Sequence, residues 1–188
     1  TYLLCVFTLC AFAQDKQLKG NALFGSLRAR HIGPAVMSGR VSDIEGVNRE
    51  PKTIYIGAAN GGVWKTINGG VTFSPIFDQN TQSIGKITVD QQRPDTIWVG
   101  TGETWTRNSI SVGTGIYCSY NAGKTWEFKG LENSERISSI LIDPNNPNTI
   151  YVGVMGHLWN GNAERGVYKT TDAGKTWEKI FFIDENTG

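Results

Sequence analysis

Seven side chains of this 188-residue sequence are of types that grip or transform ligands: Arg40, Asn60, Glu103, Trp105, Arg107, His157 and Trp159. Two carboxyls can hydrolyse a glycosidic bond, one protonating the leaving oxygen while the other attacks or activates water. Glu103 and Glu164 are the candidates for such a pair, although Glu164 could equally be a local ion partner of Arg165. His157 is of a type that serves as a general base; the alternative is a hydrogen-bonded structural histidine. Trp105 and Trp159 offer flat faces that stack on sugars or on peptide side chains, unless they fold back over their own loops. Arg40 suits an anionic ligand, or a pairing with Asp43. No residue is assigned a catalytic role from sequence. The sequence shows no metal-ligand spacing, phosphate loop, nucleophile elbow or dinucleotide fingerprint, so no metal and no cofactor are expected. Asp143, Asn145 and Asn146 are oxygen-rich, but they lack calcium-loop spacing and read as a turn.

Apart from Arg40, which opens a strand, the candidate side chains sit between the strands of a unit that occurs three times. Each unit has an apolar strand A, Arg40 to Ile44, Ile87 to Asp90 and Ile140 to Asp143. Strand B reads Thr53-Ile54-Tyr55-Ile56-Gly57, Thr96-Ile97-Trp98-Val99-Gly100 and Thr149-Ile150-Tyr151-Val152-Gly153. Strand C reads Gly62-Val63-Trp64-Lys65-Thr66, Gly115-Ile116-Tyr117-Cys118-Ser119 and Gly166-Val167-Tyr168-Lys169-Thr170. A polar turn follows, and an aromatic then opens strand D. The turn pattern is Ser/Thr-x-Asp/Asn-x-Gly-x-Thr-Trp/Phe, carried by Asn68, Gly70, Thr72 and Phe73, by Asn121, Gly123, Thr125 and Trp126, and by Asp172, Gly174, Thr176 and Trp177. The Asn or Asp side chain can accept backbone N–H groups, the glycine supplies a positive φ, and the aromatic can fill the gap beneath the turn.

A pitch of about 50 residues is that of one four-stranded propeller blade. Three blades cannot close a ring, because propellers hold about four to eight. The expected fold is therefore all-β: a β-propeller fragment, about three four-stranded blades of a larger ring, with the remaining blades of the full-length chain as partners. Strand alternation puts the B–C loops on the face opposite the polar turns. Those loops differ most between units: Ala58 to Gly61, Thr101 to Thr114 and Val154 to Arg165. Variable loops on a rigid scaffold are the usual seat of binding.

Lys+Arg 18 against Asp+Glu 17 leaves a net charge of +1, which argues against a nucleic-acid footprint. Residues 1–13 read as a secretory signal peptide lacking its basic head, ending in Ala11-Phe12-Ala13, and too short to span a membrane. Residues 14–29 read as a leader and 30–188 as blades. The expected localisation is secreted, extracellular or periplasmic. Cleavage after Ala13 would leave Cys118 alone, either a reactive thiol or a small buried side chain. Lys65 and Lys169 stand at the matching positions, so Cys118 looks like drift.

From about Arg30 onward the chain resembles secreted Asp-box (BNR-repeat) proteins with a sortilin-N-terminal-like propeller, often loosely labelled as bacterial glycosyl hydrolases. The phrases that carry this are Ser38-Gly39-Arg40-Val41, Gly61-Gly62-Val63-Trp64-Lys65-Thr66, Val99-Gly100-Thr101-Gly102-Glu103 and Glu164-Arg165-Gly166-Val167-Tyr168-Lys169-Thr170, with Asp184-Glu185-Asn186-Thr187-Gly188. Sialidases of this kind carry Phe/Tyr-Arg-Ile-Pro before the first box, where this chain has Arg30-His31-Ile32-Gly33-Pro34. Two-propeller xyloglucan hydrolases carry a catalytic Asp in Thr-Asp-Ile/Val-Gly-Gly-x-Tyr. The matching text here is Ala58-Ala59-Asn60-Gly61-Gly62-Val63-Trp64, with Ala59 in the place of that Asp. The resemblance thus implies a secreted propeller that binds a polypeptide or a glycan through its B–C loop face. The alternative is a glycoside hydrolase with catalytic residues partly outside this sequence, and a purely structural domain is a third reading.

Overall fold

The structure, a computed structural model, describes residues 40–187. The expected signal peptide and leader, and the text at 30–34, lie outside the described residues. Twelve strands follow one another: β1 (Val41–Val47), β2 (Glu50–Ala58), β3 (Gly62–Thr66), β4 (Ser74–Pro75), β5 (Ile84–Val89), β6 (Ile97–Thr101), β7 (Ile116–Ser119), β8 (Glu127–Phe128), β9 (Ile137–Ile142), β10 (Ile150–Val154), β11 (Gly166–Thr170) and β12 (Glu178–Phe181). They form three four-stranded antiparallel meanders, β1 to β4, β5 to β8 and β9 to β12, the three blades of a propeller fragment. The first strands of successive blades touch, β1 with β5 and β5 with β9, as strands about a common hub do. Strand D begins one residue after each aromatic rather than at it; in the second and third blades the indole turns toward the preceding blade.

The second strand of the middle blade, β6, is buried along its whole length, as the apolar Ile97-Trp98-Val99 run favours. The turn before it is held by its own acid. Asp90 Oδ1 accepts the N–H groups of Gln92 and Arg93 at 3.0 and 3.2 Å. Asp143 Oδ1 accepts those of Asn145 and Asn146 at 2.8 and 3.4 Å, a turn and not an ion cradle.

The recurring polar turn is a closed hydrogen-bond ring. In the third blade Thr170 Oγ1 donates to Asp172 Oδ1 at 2.7 Å and accepts Gly174 N–H at 3.0 Å. Asp172 also accepts Thr176 N–H at 3.0 Å and the Thr176 hydroxyl at 2.7 Å. Ser119, Asn121 and Thr125 repeat the ring in the second blade, and Thr66, Asn68 and Thr72 in the first. Gly123 and Gly174 take φ 87° and 78°, where a side chain is strained. Each turn also bonds back to its own A–B turn: Gly69 N–H to Lys52 O, Ala122 N–H to Asp95 O and Ala173 N–H to Asn148 O, at 2.9, 2.9 and 3.0 Å.

Asp172 is the one acid among these three turns, and the Thr176 hydroxyl and N–H, with Thr170, hold its carboxyl well below the usual aspartate range. A depressed pKa adds stability above the unfolded-state value, lost as pH falls through the folded-state value. Asp172→Asn is expected to keep the turn and remove that acid-side dependence. Denaturation midpoints measured from pH 6 down to pH 2 check this: the gap between parent and variant should change with pH, and an unchanged gap would contradict it.

The tryptophans that follow the second and third turns clasp the preceding blade, whereas Phe73 of the first lies against Gly70 of its own turn, as expected. Trp126 Nε1 donates to Ile76 O, and Trp177 Nε1 to Lys129 O, each at 2.7 Å. Ile76 and Lys129 hold equivalent positions, one residue beyond the cross-strand pairs Trp64–Pro75 and Tyr117–Phe128. Two apolar clusters fill the seams. One joins Tyr55, Val63 and Phe77 to Ile84 and Ile87; the other joins Trp98 and Ile116 to Ile137, Ile140 and Val152.

Cys118 is not drift. Tyr55 pairs across strands with Lys65, and Tyr151 with Lys169, each ammonium lying over the ring at 5.4 and 5.7 Å. In the middle blade the same pair is Trp98 with Cys118. The exchange of lysine for cysteine thus accompanies the exchange of tyrosine for tryptophan, whose far edge reaches the next turn at Gly174. Burial pushes the Cys118 thiol up to about 12, which makes it a buried apolar filler and not a nucleophile.

Candidate functional site

The three B–C connections project from the end of the blades opposite the polar turns. The first is tight: Ala58 O accepts the N–H groups of Asn60 and Gly61, and Asn60 stands exposed at its tip. The second, 102–115, is tied across the blade 2–blade 3 seam by Gly113 N–H to Glu135 O at 2.7 Å. The third, 155–165, is held from beneath by two buried arginines. Arg136 donates to Gly156 O and His157 O at 2.7 and 2.9 Å. Arg165 donates to His157 O and Asn160 O at 2.6 and 3.3 Å, and to Met155 O. Burial, and then the nearby Arg165, lower the Arg136 pKa from its ordinary value.

The seven candidates separate into two clusters and an isolated tip. At the blade 1–blade 2 seam, Arg40 and Arg107 both meet Oε1 of Glu103, Arg107 Nε at 3.2 Å. Glu103 is only 1% exposed, so it cannot meet a ligand directly. It anchors two half-exposed guanidiniums, whose sum with its own charge is positive. Arg40 does not pair with Asp43, which is held by Lys86 at 2.9 Å. A small cavity of about 60 Å³ lies between Arg40, Ser42, Ala59 and Trp105. Ala59 is buried, its N–H bonded to Arg40 O at 2.8 Å.

At the blade 2–blade 3 seam lies a roomier cleft of about 330 Å³, lined by Asn108, Ser109, Glu135, His157, Trp159 and Asn160, among others. His157 Nε2 stands 3.6 Å from Glu135 Oε1, an ion pair whenever the imidazole is protonated. Neither tryptophan folds back: Trp105 is 68% and Trp159 77% exposed. Glu164 does not join Glu103. Its Oε1 meets Asn133 Nδ2 at 3.5 Å, and Arg165 bonds carbonyls rather than Glu164. Asn60 joins neither cavity lining.

Glu135 was not among the sequence candidates. It sits in the linker between blades with φ 51° and ψ −37°, a costly backbone for a residue with a side chain. Such strain persists where surrounding structure imposes it, and it clusters at functional sites. Here the Glu135 carbonyl is held by Gly113 N–H while its carboxylate faces the cleft. Among the described residues no group of three or more His, Cys, Asp or Glu is placed to hold a metal ion, and no helix is long and apolar enough to cross a membrane.

No family model matches the chain. A probable oligoxyloglucan-reducing end-specific xyloglucanase of Neosartorya fischeri is 27% identical over 139 residues, and an oligoxyloglucan-reducing end-specific xyloglucanase of Emericella nidulans 23% over 139 residues. Both matches take in 67% of this chain and 15% of the relative, so the chain spans a small part of the curated relatives' length. Among solved structures, an ancestral GH74 enzyme superposes with TM-score 0.60 at 22% identity, over 81% of this chain and 20% of that one. YCF48 from Cyanidioschyzon merolae superposes with TM-score 0.54 at 16% identity, over 80% and 40%. YCF48 bound to D1 peptide gives TM-score 0.51 at 13% identity, over 82% and 44%. At these identities the structural likeness establishes the fold alone. That fold is a β-propeller.

Proposed function

We propose that this chain is part of a secreted Asp-box propeller, of the sortilin-N-terminal-like kind, that holds a glycan on its B–C loop face without cleaving it. One observation carries the reading: two exposed indoles on successive B–C loops, Trp159 bordering a cleft whose lining mixes amides, a serine, a carboxylate and an imidazole with the aliphatic Ile110, Val112 and Leu158. An aromatic face takes the apolar side of a sugar ring, and planar polar side chains take its hydroxyls. The cleft is of the size that ordinarily holds a small ligand. The relatives are named for acting on oligoxyloglucan, which makes a xyloglucan oligosaccharide the first ligand to test. Cleavage is disfavoured because Ala59 stands where the resemblance places a catalytic Asp, and a methyl group moves no proton.

Titration calorimetry with xyloglucan oligosaccharides tests this. Trp159→Ala is expected to weaken binding roughly tenfold, with no reducing ends released by the parent. Tight binding of an extended polypeptide with no saccharide binding would replace the reading by a peptide-binding one, which the peptide-bound YCF48 structure favours. Turnover that depends on Glu135 or His157 would replace it by a glycoside hydrolase, the reading the xyloglucanase relatives favour.

A further inference from the structure

Three Asn-Gly steps occur in the chain, Asn60-Gly61, Asn68-Gly69 and Asn160-Gly161, and the fold treats them differently. We propose that Asn160 is a self-modifying site: its side chain closes on the backbone nitrogen of Gly161 and becomes aspartate or isoaspartate, which adds a carboxylate to the cleft at the blade 2–blade 3 seam.

The reaction needs no partner but water. The Gly161 nitrogen gives up its proton and attacks the side-chain carbonyl carbon of Asn160, forming a C–N bond. The side-chain nitrogen takes up a proton and leaves as ammonia, and a cyclic imide remains. Water then adds to one imide carbonyl, and the C–N bond to that carbon breaks. Opening at the side-chain carbon gives aspartate. Opening at the main-chain carbon gives isoaspartate, with the chain rerouted through the side chain. Nothing is oxidised or reduced. Glycine eases the first step, because no Cβ crowds the attacking nitrogen.

Two of the three steps are held shut. Gly61 N–H is bonded to Ala58 O at 3.2 Å, and Gly69 N–H to Lys52 O at 2.9 Å. The Asn68 amide is also locked in its polar-turn ring, Oδ1 accepting Thr72 N–H at 3.0 Å and Nδ2 donating to Thr72 Oγ1 at 2.8 Å. Reaction at either step must first break these bonds. Asn160 is exposed, and among the described residues neither its side-chain amide nor the Gly161 N–H has a hydrogen-bond partner.

Two neighbours favour attack by the Gly161 nitrogen. Removing its proton spreads negative charge onto Asn160 O, the oxygen of the same peptide group. Arg165 Nη2 donates to that oxygen at 3.3 Å, so a cation stands where the charge develops. Arg165 is itself buried and fixed by Met155 O and His157 O. Glu185 stands beside the same glycine: a Cβ added at Gly161 would lie 3.1 Å from its Oε2. A carboxylate at that range takes the proton directly or through one water. The Glu185 main chain is tied to this loop, its carbonyl accepting Asn162 N–H at 2.9 Å.

Asn160 lines the cleft of about 330 Å³ with Glu135, His157 and Trp159, so the product replaces a neutral amide there by an anion. The effect on binding rests on the glycan reading above; the chemistry at Asn160 does not.

The chain is incubated at mildly alkaline pH in heavy-oxygen water, and peptide mass mapping locates the products. In the folded protein, conversion at Asn160 should outpace Asn60 and Asn68 by at least about tenfold, the opening of one hydrogen bond. In denaturant the three steps should react alike, and Asn160 no faster than when folded. Glu185→Gln should slow Asn160 by roughly tenfold or more. Folding that suppresses Asn160 as strongly as Asn60 would overturn the proposal, and a rate indifferent to Glu185→Gln would overturn the assigned base. Asn160→Asp, which fixes one product, should weaken binding of xyloglucan oligosaccharide roughly tenfold relative to fresh parent. Equal binding would overturn the effect on the cleft. Fresh parent that binds no saccharide would overturn the glycan reading alone.

Discussion

Trp126→Ala is expected to destabilise the fragment by about 3 kcal/mol, because it opens a joint and not merely a pocket. The Trp126 indole N–H reaches Ile76 O of the preceding blade at 2.7 Å. Its ring meets Phe77 edge-on, centroids 4.9 Å apart at 87°. Phe77 is itself buried and meets Tyr117 at 5.3 Å and 86°, so one ring anchors an aromatic chain from the first blade into the second. Trp126→Phe keeps the ring and loses the donor, and it should cost about 1 kcal/mol. Denaturant midpoints of parent and both variants check the order. A Trp126→Ala midpoint within about 0.5 kcal/mol of the parent would contradict the clasp.

Gly102→Ala is expected to cost about 3 kcal/mol or more, through two effects that act together. Gly102 takes φ 96°, where any Cβ is strained by about 1–2 kcal/mol. The added methyl would also fall within the Glu135 carbonyl oxygen, and the backbone there cannot yield without parting the second blade from the third. Overpacking of this kind typically adds about 1–3 kcal/mol. Gly69→Ala is the control: φ is 73°, but an added methyl meets nothing within 4 Å, so only the backbone strain remains. Because Glu135 lines the cleft, Gly102→Ala should also weaken ligand binding in whatever fraction stays folded. Equal destabilisation by the two alanine changes would show that the close approach to Glu135 has no weight.

The blade plan was legible because it is written locally. A turn closed by its own Ser/Thr and Asx side chains needs nothing from the rest of the chain, so its pattern at Asn121 and Asp172 shows directly in sequence. What crosses between blades was not legible. The acceptor for Trp126 is a main-chain carbonyl 50 residues away, and a carbonyl has no sequence signature. The Trp98–Cys118 exchange for Tyr–Lys becomes visible only once strand register pairs the two positions. On the candidate face, loop identity was readable from where the repeats diverge, whereas the exposure of Trp105 and Trp159 stayed open until the loop conformations were known. The burial of Glu103 beneath Arg40 and Arg107 was not, because it depends on how a long loop folds against the neighbouring blade. Glu135 carried no signal, since it lies in a linker without a motif and takes a backbone conformation that no residue type there announces.

Site-resolved indole modification, with and without saturating xyloglucan oligosaccharide, tests the ligand face most directly. Trp105 and Trp159 should react freely in the unliganded protein, and Trp159 should be shielded by the saccharide. Buried Trp98 should stay unreactive throughout, and the saccharide should be recovered intact. Unchanged reaction at Trp159 under saturating saccharide, or newly released reducing ends, would contradict a face that binds without cleaving.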